Sequence, residues 1–360
     1  LYATRGSYAF WMDLTDPIDP AELGEDEAPA GSCYDVAVQG DYAYAAEASR
    51  GLYVLDVSDP FAPVEVGRTD VPEAALDIVV DGDYAYIGDL SGGLIIFDVS
   101  DPTAPVQMGE LAFGGGGASG VAVAGDLAYC AAHSNGLQIV DVSDPNAPVL
   151  VGQLGGLDYT VNVSLTGDLA VLADFGGGMR VVDVSTPSSP VLLGTFEPTP
   201  SDVVWGVDTE GSLALATTPD RGIYLIDISD PSQPTVIDNE QSAGDAFEPF
   251  MEDGYVHLAD GVTGVGIYRY LDASSAPEGQ ATASQVLVTR SEGNAASFQL
   301  PAGFRTLDVY DPAGRRIFSE ELPAGAGRRE IEFAARRPGV FFWKAEGKGR
   351  IETGRIVLVR

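Results

Sequence analysis

The sequence predicts an all-β protein in which a β-propeller is followed by a small β-sandwich. First, one unit recurs along most of the chain, with its aspartates 42 to 44 residues apart. Second, each unit contains four short strand-like segments separated by Gly, Asp and Pro turns, and no segment has helical periodicity. Third, residues 285–360 alternate apolar and polar side chains without that period.

The repeat is clearest in GLYVLDVSDPFAPVEVG, which spans residues 51–67 and returns at 93–109, 136–152, 178–194 and 222–238. Self-similarity at this period is typical of propellers and solenoids. The aspartates that recur in register are Asp13, Asp56, Asp98, Asp141, Asp183 and Asp227. Because each one ends a third strand beside a turn, we expect it to bond loop backbone there, which is a structural role.

The second unit shows how a blade is built. YDVAVQ, YAYAA, GLYVLDV and PVEV, within residues 34–66, have the pattern of four strands. Gly40-Asp41 supplies a hairpin turn, because Gly tolerates positive φ, and Asp59-Pro60 supplies another turn. Four strands per unit without helices predict propeller blades. Seven copies of the third strand favour seven blades, with six as the alternative, and the chain begins near the second strand of a blade.

These GLxIVDVSDPxxPxxVG units resemble the LVIVD repeat family, which is found in secreted and surface proteins of bacteria and archaea. The resemblance covers residues 1–272 and implies a β-propeller. The family has no agreed catalytic residues, so it assigns none to this chain. The last unit departs from the pattern, because Arg269 stands where the repeat aspartate is expected and no DVSDP follows.

Residues 273–284 are small and polar and predict a linker, and residues 285–360 contain seven strand-like segments that predict a β-sandwich. TLDVYDPAGRRIF, PGVFFWKAEG and the closing RIVLVR are similar to the FlgD-like immunoglobulin (Ig-like) fold. They are equally similar to the C-terminal sorting domain of the type IX secretion system (T9SS). Either resemblance implies export and attachment or display at the surface of a Gram-negative-type bacterium, with residues 285–360 contacting the export or anchoring machinery.

Charge is distributed unevenly along a chain whose formal net charge is −35. Residues 1–274 contain 6 Arg, no Lys and 44 Asp or Glu, whereas the remainder contains 13 Lys or Arg and 10 Asp or Glu. This asymmetry indicates two domains. It also argues against a nucleic-acid partner, which requires clustered Lys and Arg. The acidic part should attract cations, and we expect a monomer.

No nucleophile, metal or nucleotide motif occurs in a suitable context, so the candidate site rests on two rows that vary from blade to blade. Five residues before each hairpin glycine lie Asp35, Asp77, Gly120, Asn162 and Gly206. Four residues before each third-strand glycine lie Glu47, Asp89, Ala132, Asp174, Thr218 and Asp260. His133 and Trp205 lie beside these rows, and both rows should share one face. Carboxylates there could hold Ca²⁺, with Asp35 and Asp77 as the candidate ligands; a solvated acidic rim is the alternative.

Together these features predict a secreted or surface-displayed, non-catalytic binding or scaffold protein. Its acidic propeller would present a loop face to an extracellular protein or glycan, with no cofactor required and Ca²⁺ as the one candidate. The alternative is a hydrolase or lyase that acts on extracellular polysaccharide. That chemistry needs two carboxylates at a fixed separation, and Glu47 with Asp89 is the pair to test.

Overall fold

The computed structural model shows an all-β chain, and the part that it describes contains no helix. The described residues are 2–5, 8–13, 21–27, 33–48, 51–59, 61–71, 74–114, 116–198, 202–242, 246–252, 255–259, 265–269, 287–290, 295–300, 304–310, 316–321, 329–334, 339–347 and 350–358. The predicted linker at 273–284 lies outside them. Within these ranges there is consequently no helix that could cross a membrane.

Twenty-six strands belong to the first of two compact units. In chain order they are β1 (Tyr2–Arg5), β2 (Tyr8–Asp13), β3 (Ala21–Glu27), β4 (Cys33–Gln39), β5 (Tyr42–Glu47), β6 (Gly51–Asp56), β7 (Val64–Thr69), β8 (Ala75–Asp81), β9 (Tyr84–Asp89), β10 (Gly93–Asp98), β11 (Val106–Leu111), β12 (Gly120–Ala124), β13 (Leu127–Ala131), β14 (Leu137–Asp141), β15 (Val149–Leu154), β16 (Thr160–Thr166), β17 (Leu169–Asp174), β18 (Gly178–Asp183), β19 (Val191–Phe196), β20 (Gly206–Glu210), β21 (Leu213–Thr218), β22 (Gly222–Asp227), β23 (Thr235–Glu240), β24 (Pro249–Glu252), β25 (Tyr255–Ala259) and β26 (Val265–Arg269).

These strands form the blades of a β-propeller. Strands β4–β7, β8–β11, β12–β15, β16–β19 and β20–β23 are four-stranded antiparallel sheets, and β24–β26 is a three-stranded sheet. Their first strands, β4, β8, β12, β16, β20 and β24, contact one another in series and are the inner strands. Among the described residues, six sheets contain an inner strand, so the propeller has six blades, and the preference for seven is not confirmed. The sheet of β1–β3 has no inner strand, and β1 packs against β4.

The hydrophobic core lies between neighbouring blades. Leu52 and Val54 of β6 form one buried cluster with Ile78, Ile87 and Phe97 of the next blade. The alanines of the second strands are almost completely buried, which lets adjacent sheets approach closely; they include Ala43, Ala85, Ala128 and Ala170. Each blade therefore depends on its neighbours to bury its apolar faces.

The recurring aspartate closes the turn after the third strand. One of its carboxylate oxygens accepts the backbone N–H two residues later, at 2.8–2.9 Å, in five repeats: Asp56, Asp98, Asp141, Asp183 and Asp227. Hydrogen bonds from Ser58 hold the pKa of Asp56 below its ordinary value. The side chain of Asp13 lies outside the described residues. This local contact explains why the same residue recurs in blades whose loops otherwise differ.

A glycine in the fourth strand lies against the turn of the next blade. A Cβ atom at this position would overlap the carbonyl oxygen of the proline in that turn. The four glycine–proline pairs are Gly67 and Pro102, Gly109 and Pro145, Gly152 and Pro187, and Gly194 and Pro231. In these four repeats, the glycine that ends the unit and the DP or TP of the following repeat therefore form one contact between blades.

The second compact unit contains the remaining seven strands. They are β27 (Leu287–Arg290), β28 (Ala295–Leu300), β29 (Phe304–Tyr310), β30 (Arg316–Glu321), β31 (Arg329–Ala334), β32 (Gly339–Gly347) and β33 (Arg350–Leu358). One antiparallel sheet has the order β27-β28-β31, and the other has the order β30-β29-β32-β33.

Candidate functional site

Strand pairing brings the two predicted rows to the same end of each blade. In the second repeat, β4 pairs with β5 so that Cys33 lies opposite Glu47 and Asp35 opposite Ala46. In the third repeat, Asp77 of β8 lies opposite Gly88, one residue before Asp89. We call this end, where first strands begin and second strands end, the upper face. The opposite end, which carries the aspartate–proline turns, is the lower face.

The second row lies in the protein interior and does not form an exposed rim. Glu47, Asp89 and Asp174 are at most 1% exposed. The Asp89 carboxylate accepts the backbone N–H groups of Ser91 and Gly92, at 3.1 and 2.5 Å. These contacts fold the turn between the second and third strands, so this carboxylate is structural. Asp260, the last predicted member, lies outside the described residues.

Asp174 has two partners of different kinds. Its Oδ1 accepts the backbone N–H of Tyr159 at 2.8 Å, and its Oδ2 pairs with Arg180 Nε at 3.0 Å. Arg180 also lies 3.6 Å from the exposed carboxylate of Glu197. A charge in the interior requires such a partner, because it has lost its contact with water.

The first row links neighbouring inner strands. Asp35 accepts the backbone N–H of Ile78 at 3.0 Å, and Asp77 accepts that of Val121 at 2.6 Å. In each case the donor belongs to the inner strand of the next blade. Asn162 repeats the contact two blades further on, because its Oδ1 accepts the N–H of Val207 at 3.1 Å. These side chains therefore hold consecutive inner strands together.

Two further carboxylates, which the row pattern missed, join this group. Asp208 accepts the backbone N–H of Met251 at 2.6 Å and the hydroxyl of Ser164 at 2.9 Å. Glu248 accepts the side-chain amide of Asn162 at 3.1 Å, although β20 separates their blades. Alternation along β20 places Asp208 on the same side as Gly206, which could have revealed it. We call the group formed by Asp35, Asp77, Asn162, Asp208 and Glu248 the axial cluster.

Crowding of carboxylates changes the protonation of the axial cluster. Burial raises the pKa of Asp77 well above its ordinary value, and the carboxylates of Asp35 and Glu248 raise it further, against the opposing N–H of Val121. Burial also raises the pKa of Asp208. Asp77, which is only 8% exposed, is therefore protonated well above the pH at which an ordinary aspartate ionises.

Glu248 differs from Asp77 because its side chain keeps an exposed surface. The surrounding protein raises the pKa of Glu248 to about 8, and the nearby carboxylate of Asp35 adds to the effect, whereas the hydrogen bond from Asn162 lowers it. Contact with solvent weakens such effects, so the pH dependence of the free energy of unfolding is expected to come mainly from Asp77.

His133 is buried beside the first row and has an unusual backbone. Its φ is 52°, and its ring stacks on that of Tyr159, with centroids 4.5 Å apart and the planes at 7°. Its Nε2 contacts the Ser119 hydroxyl. Burial lowers the pKa of His133, which favours the neutral imidazole. In the part of the chain that the structure describes, no carboxylate hydrogen-bonds this ring, so the pair lacks the third member of a catalytic triad.

Aromatic side chains cover part of the upper face. The Trp205 ring makes edge-to-face contacts with Phe175, at 5.2 Å and 79°, and with Phe247, at 5.7 Å and 88°. Trp205 and Phe247 remain 38% and 37% exposed. Trp205 directly precedes β20, Phe247 lies two residues before β24 of the next blade, and Phe175 directly follows β17 of the preceding blade. We call Phe175, Trp205 and Phe247 the aromatic arc; the sequence patterns had indicated only Trp205.

The repeats themselves identify the family. The sequence pattern of the LVIVD repeat matches residues 30–71, 73–112, 115–154, 158–197 and 218–239, which is just over half of the chain. The chain belongs to the LVIVD repeat family. A comparison with curated proteins finds no match for this LVIVD protein.

Solved structures with low sequence identity share the fold of the LVIVD protein. The computationally designed Ika8 protein is 12% identical, with a TM-score of 0.54 over 91% of this chain and 96% of its own. BamB from Moraxella catarrhalis is 15% identical, with a TM-score of 0.55 over 75% and 82%. A chain of the Mitotic Checkpoint Complex is 14% identical, with a TM-score of 0.61 over 75% and 86%. At these identities the likeness concerns the fold alone.

The residues that line two clefts of the LVIVD propeller can be compared with the residues of the two predicted rows. One of about 410 Å³ is lined by residues that include Phe113, Asn135 and Gln153. The other, of about 400 Å³, lies beside Asp202 and Arg221. None of the carboxylates in the two predicted rows lines either cleft.

We expect the free energy of unfolding of the LVIVD propeller to fall as the pH rises. A carboxyl group whose pKa is raised in the folded state stabilises the fold fully below its unfolded pKa, and this contribution is lost as the pH rises through the folded pKa. For Asp77 this loss begins near 3.8, its ordinary pKa, and continues until the pH passes its raised pKa in the folded state. Asp77→Asn stays neutral throughout and should reduce the slope, which urea unfolding at a series of pH values would measure.

Asp83→Asn is the matched control for this experiment. Asp83 lies in the exposed hairpin of the same blade, between β8 and β9, and its replacement removes the same formal charge. The control should therefore retain the pH slope of the parent protein. Equal slopes for the two variants would show that general charge repulsion, rather than the axial cluster, sets the pH dependence.

Proposed function

We propose that this LVIVD protein is a non-catalytic binding or scaffold protein whose upper face contacts an extracellular protein or glycan. The observation that carries the proposal is the exposure of Trp205 and Phe247 on a face whose carboxylates are engaged in structural contacts. Exposed aromatic side chains of this kind are enriched at binding surfaces. Asp77 and Asp89, in contrast, hold backbone N–H groups in place.

We also propose that the protein is secreted or held at the cell surface as a monomer. Strands β27–β33 form two antiparallel sheets, an arrangement that fits the expected FlgD-like Ig or T9SS sorting domain. In this proposal residues 285–360 serve export or attachment, while the propeller supplies the binding face. The strongly acidic propeller fits an extracellular partner better than a nucleic acid.

The enzyme alternative rests on Glu47 and Asp89, both of which are buried. Its candidate pair includes Asp89, which folds a turn of the upper face. Ca²⁺ binding by Asp35 and Asp77 stays a prediction. Both carboxylates already accept backbone N–H groups, so a Ca²⁺ ion would have to compete with these hydrogen bonds. We propose that binding requires no cofactor, so the array described below should give the same signals with added Ca²⁺ as with EDTA.

An array of extracellular proteins and glycans, probed with the full chain, tests the proposal. We expect at least one ligand whose signal is lost in Trp205→Ala and retained in Phe61→Ala. Phe61 is a matched aromatic control, because it is 72% exposed on the lower face. The proposal fails if every signal is indifferent to Trp205. It also fails if the chain releases products from a polysaccharide and Glu47→Gln abolishes that release.

A further inference from the structure

The aromatic arc adjoins the axial cluster in the chain. Glu248 directly follows Phe247 in the chain, and β20, which follows Trp205, carries Asp208 two residues beyond its first residue. The ring of Trp205 stands nearly perpendicular to that of Phe247. The two rings therefore form adjoining walls of a corner, at the residue that precedes Glu248 in the chain.

The described cations of the propeller are engaged elsewhere. Arg68 pairs with Glu65, Arg180 pairs with Asp174, and Arg221 pairs with Asp202, the last at 2.6 Å. Residues 1–274 contain no lysine. Among the described side chains, no cation pairs with the axial cluster, so four carboxyl groups and one amide share this region without a positive charge.

This combination favours a positively charged occupant over a neutral one. A cation held over an aromatic face is attracted by the electrons of the ring, and Trp provides the strongest such contact. Carboxylates at close range strengthen the attraction and relieve their own repulsion when the cation arrives. The hydroxyl groups of a neutral sugar can donate hydrogen bonds to a carboxylate, but they would leave the repulsion among the carboxylates in place. Perpendicular rings also offer a sugar no flat platform.

We propose that the corner formed by Trp205, Phe247 and Glu248 receives an arginine or lysine side chain from an extended segment of a partner polypeptide. This inference rests on the proposed function, because it specifies the partner of the same upper face. Trp205 contacts the cationic group, and Phe247 packs along the aliphatic part of the side chain. Glu248 supplies the opposite charge, because an adjacent cation stabilises the ionised carboxylate and lowers its raised pKa. The acidic propeller steers the cationic segment toward this face.

Calorimetry with a synthetic peptide of alternating Arg and Gly tests the proposal on the full chain at physiological salt. The matched control peptide replaces each Arg with citrulline, which has the same shape and no charge. We expect binding of the Arg peptide to be at least about tenfold tighter than that of the citrulline peptide. Trp205→Ala should weaken binding of the Arg peptide by at least about tenfold, in line with the effect of removing a central aromatic anchor.

Three further variants distinguish binding at the corner from a general attraction of the peptide to an acidic protein. Glu248→Gln keeps a group that Asn162 can bond, so it should fold normally and still weaken binding. Asp83→Asn removes an exposed charge elsewhere, and Phe61→Ala removes an exposed ring from the lower face; both should bind within about twofold of the parent protein. Melting temperatures measured for all variants establish that each one is folded.

The outcomes distinguish the inference from the proposed function. Equal binding of the Arg and citrulline peptides, or equal effects of Trp205→Ala and Phe61→Ala, overturns the inference. If a neutral glycan on the array depends on Trp205 while the Arg peptide does not, the upper face binds a ligand but the cation proposal is wrong. If neither peptide nor array ligand depends on Trp205, both proposals fail.

Discussion

Gly152→Ala is expected to destabilise the propeller by about 3 kcal/mol, at the upper end of the usual cost of overpacking. Gly152 is buried in β15, and its added Cβ would overlap the carbonyl oxygen of Pro187 in the next blade. That oxygen belongs to the backbone of a closed turn, so it cannot rotate away as a flexible side chain could. Urea unfolding followed by circular dichroism would measure the loss.

Gly155→Ala provides the matched control three residues away. A Cβ there meets no atom within 4 Å, and the residue does not need positive φ. Alanine should therefore be neutral or stabilise the protein by less than about 1 kcal/mol, because it restricts the unfolded chain. If the two variants were equally stable, the contact between the fourth strand and the next blade would not be the reason for the recurring glycine.

Arg180→Met is expected to cost about 3 kcal/mol, because it leaves the carboxylate of Asp174 in the interior without its counter-ion. Asp174 is 0% exposed, and Tyr159 N–H is the other hydrogen-bond donor seen at its side chain. The methionine fills most of the volume of the arginine stem, so the loss reports on charge more than on packing. Chemical denaturation would again provide the free energy of unfolding.

Glu197→Gln and a double variant test the cause of this loss. Glu197 is 65% exposed and lies 3.6 Å from the same arginine, so its neutralisation should cost less than about 1 kcal/mol. Adding Asp174→Asn to Arg180→Met removes the unpaired charge and should recover part of the stability. If the double variant recovers no stability, Arg180 contributes through packing. If the variants lose ligand binding instead of stability, Asp174 acts in the binding site of the upper face.

The repeat indicated the blades because the contacts that build them are local. The aspartate of the third strand bonds an N–H only two residues away, as Asp56 bonds that of Ser58. Gly40 has a φ of 61°, as a tight hairpin requires. Such contacts depend on residues within one turn, so their pattern can be recognised in the printed sequence without knowing what lies across the blade.

The residues of the upper face were only partly predictable, because their partners are distant in the sequence. Asp77 bonds Val121 of the next blade, 44 residues away, and Glu248 reaches Asn162 across 86 residues. The row pattern found Asp77 but missed Glu248, since the last unit departs from the repeat. It also placed Asp174 on an exposed rim, whereas Arg180 allows that carboxylate to be buried.

An all-β repeat protein of the LVIVD family could be recognised from the amino-acid sequence, because each unit carries its own strands and turns. The three-dimensional structure was needed to find that six sheets have inner strands and that the variable acids hydrogen-bond neighbouring inner strands. It also brought Phe175, Trp205 and Phe247 together on one face. This difference arises because burial and the hydrogen bonds of the axial cluster form between blades, whereas the repeat reflects contacts within one blade.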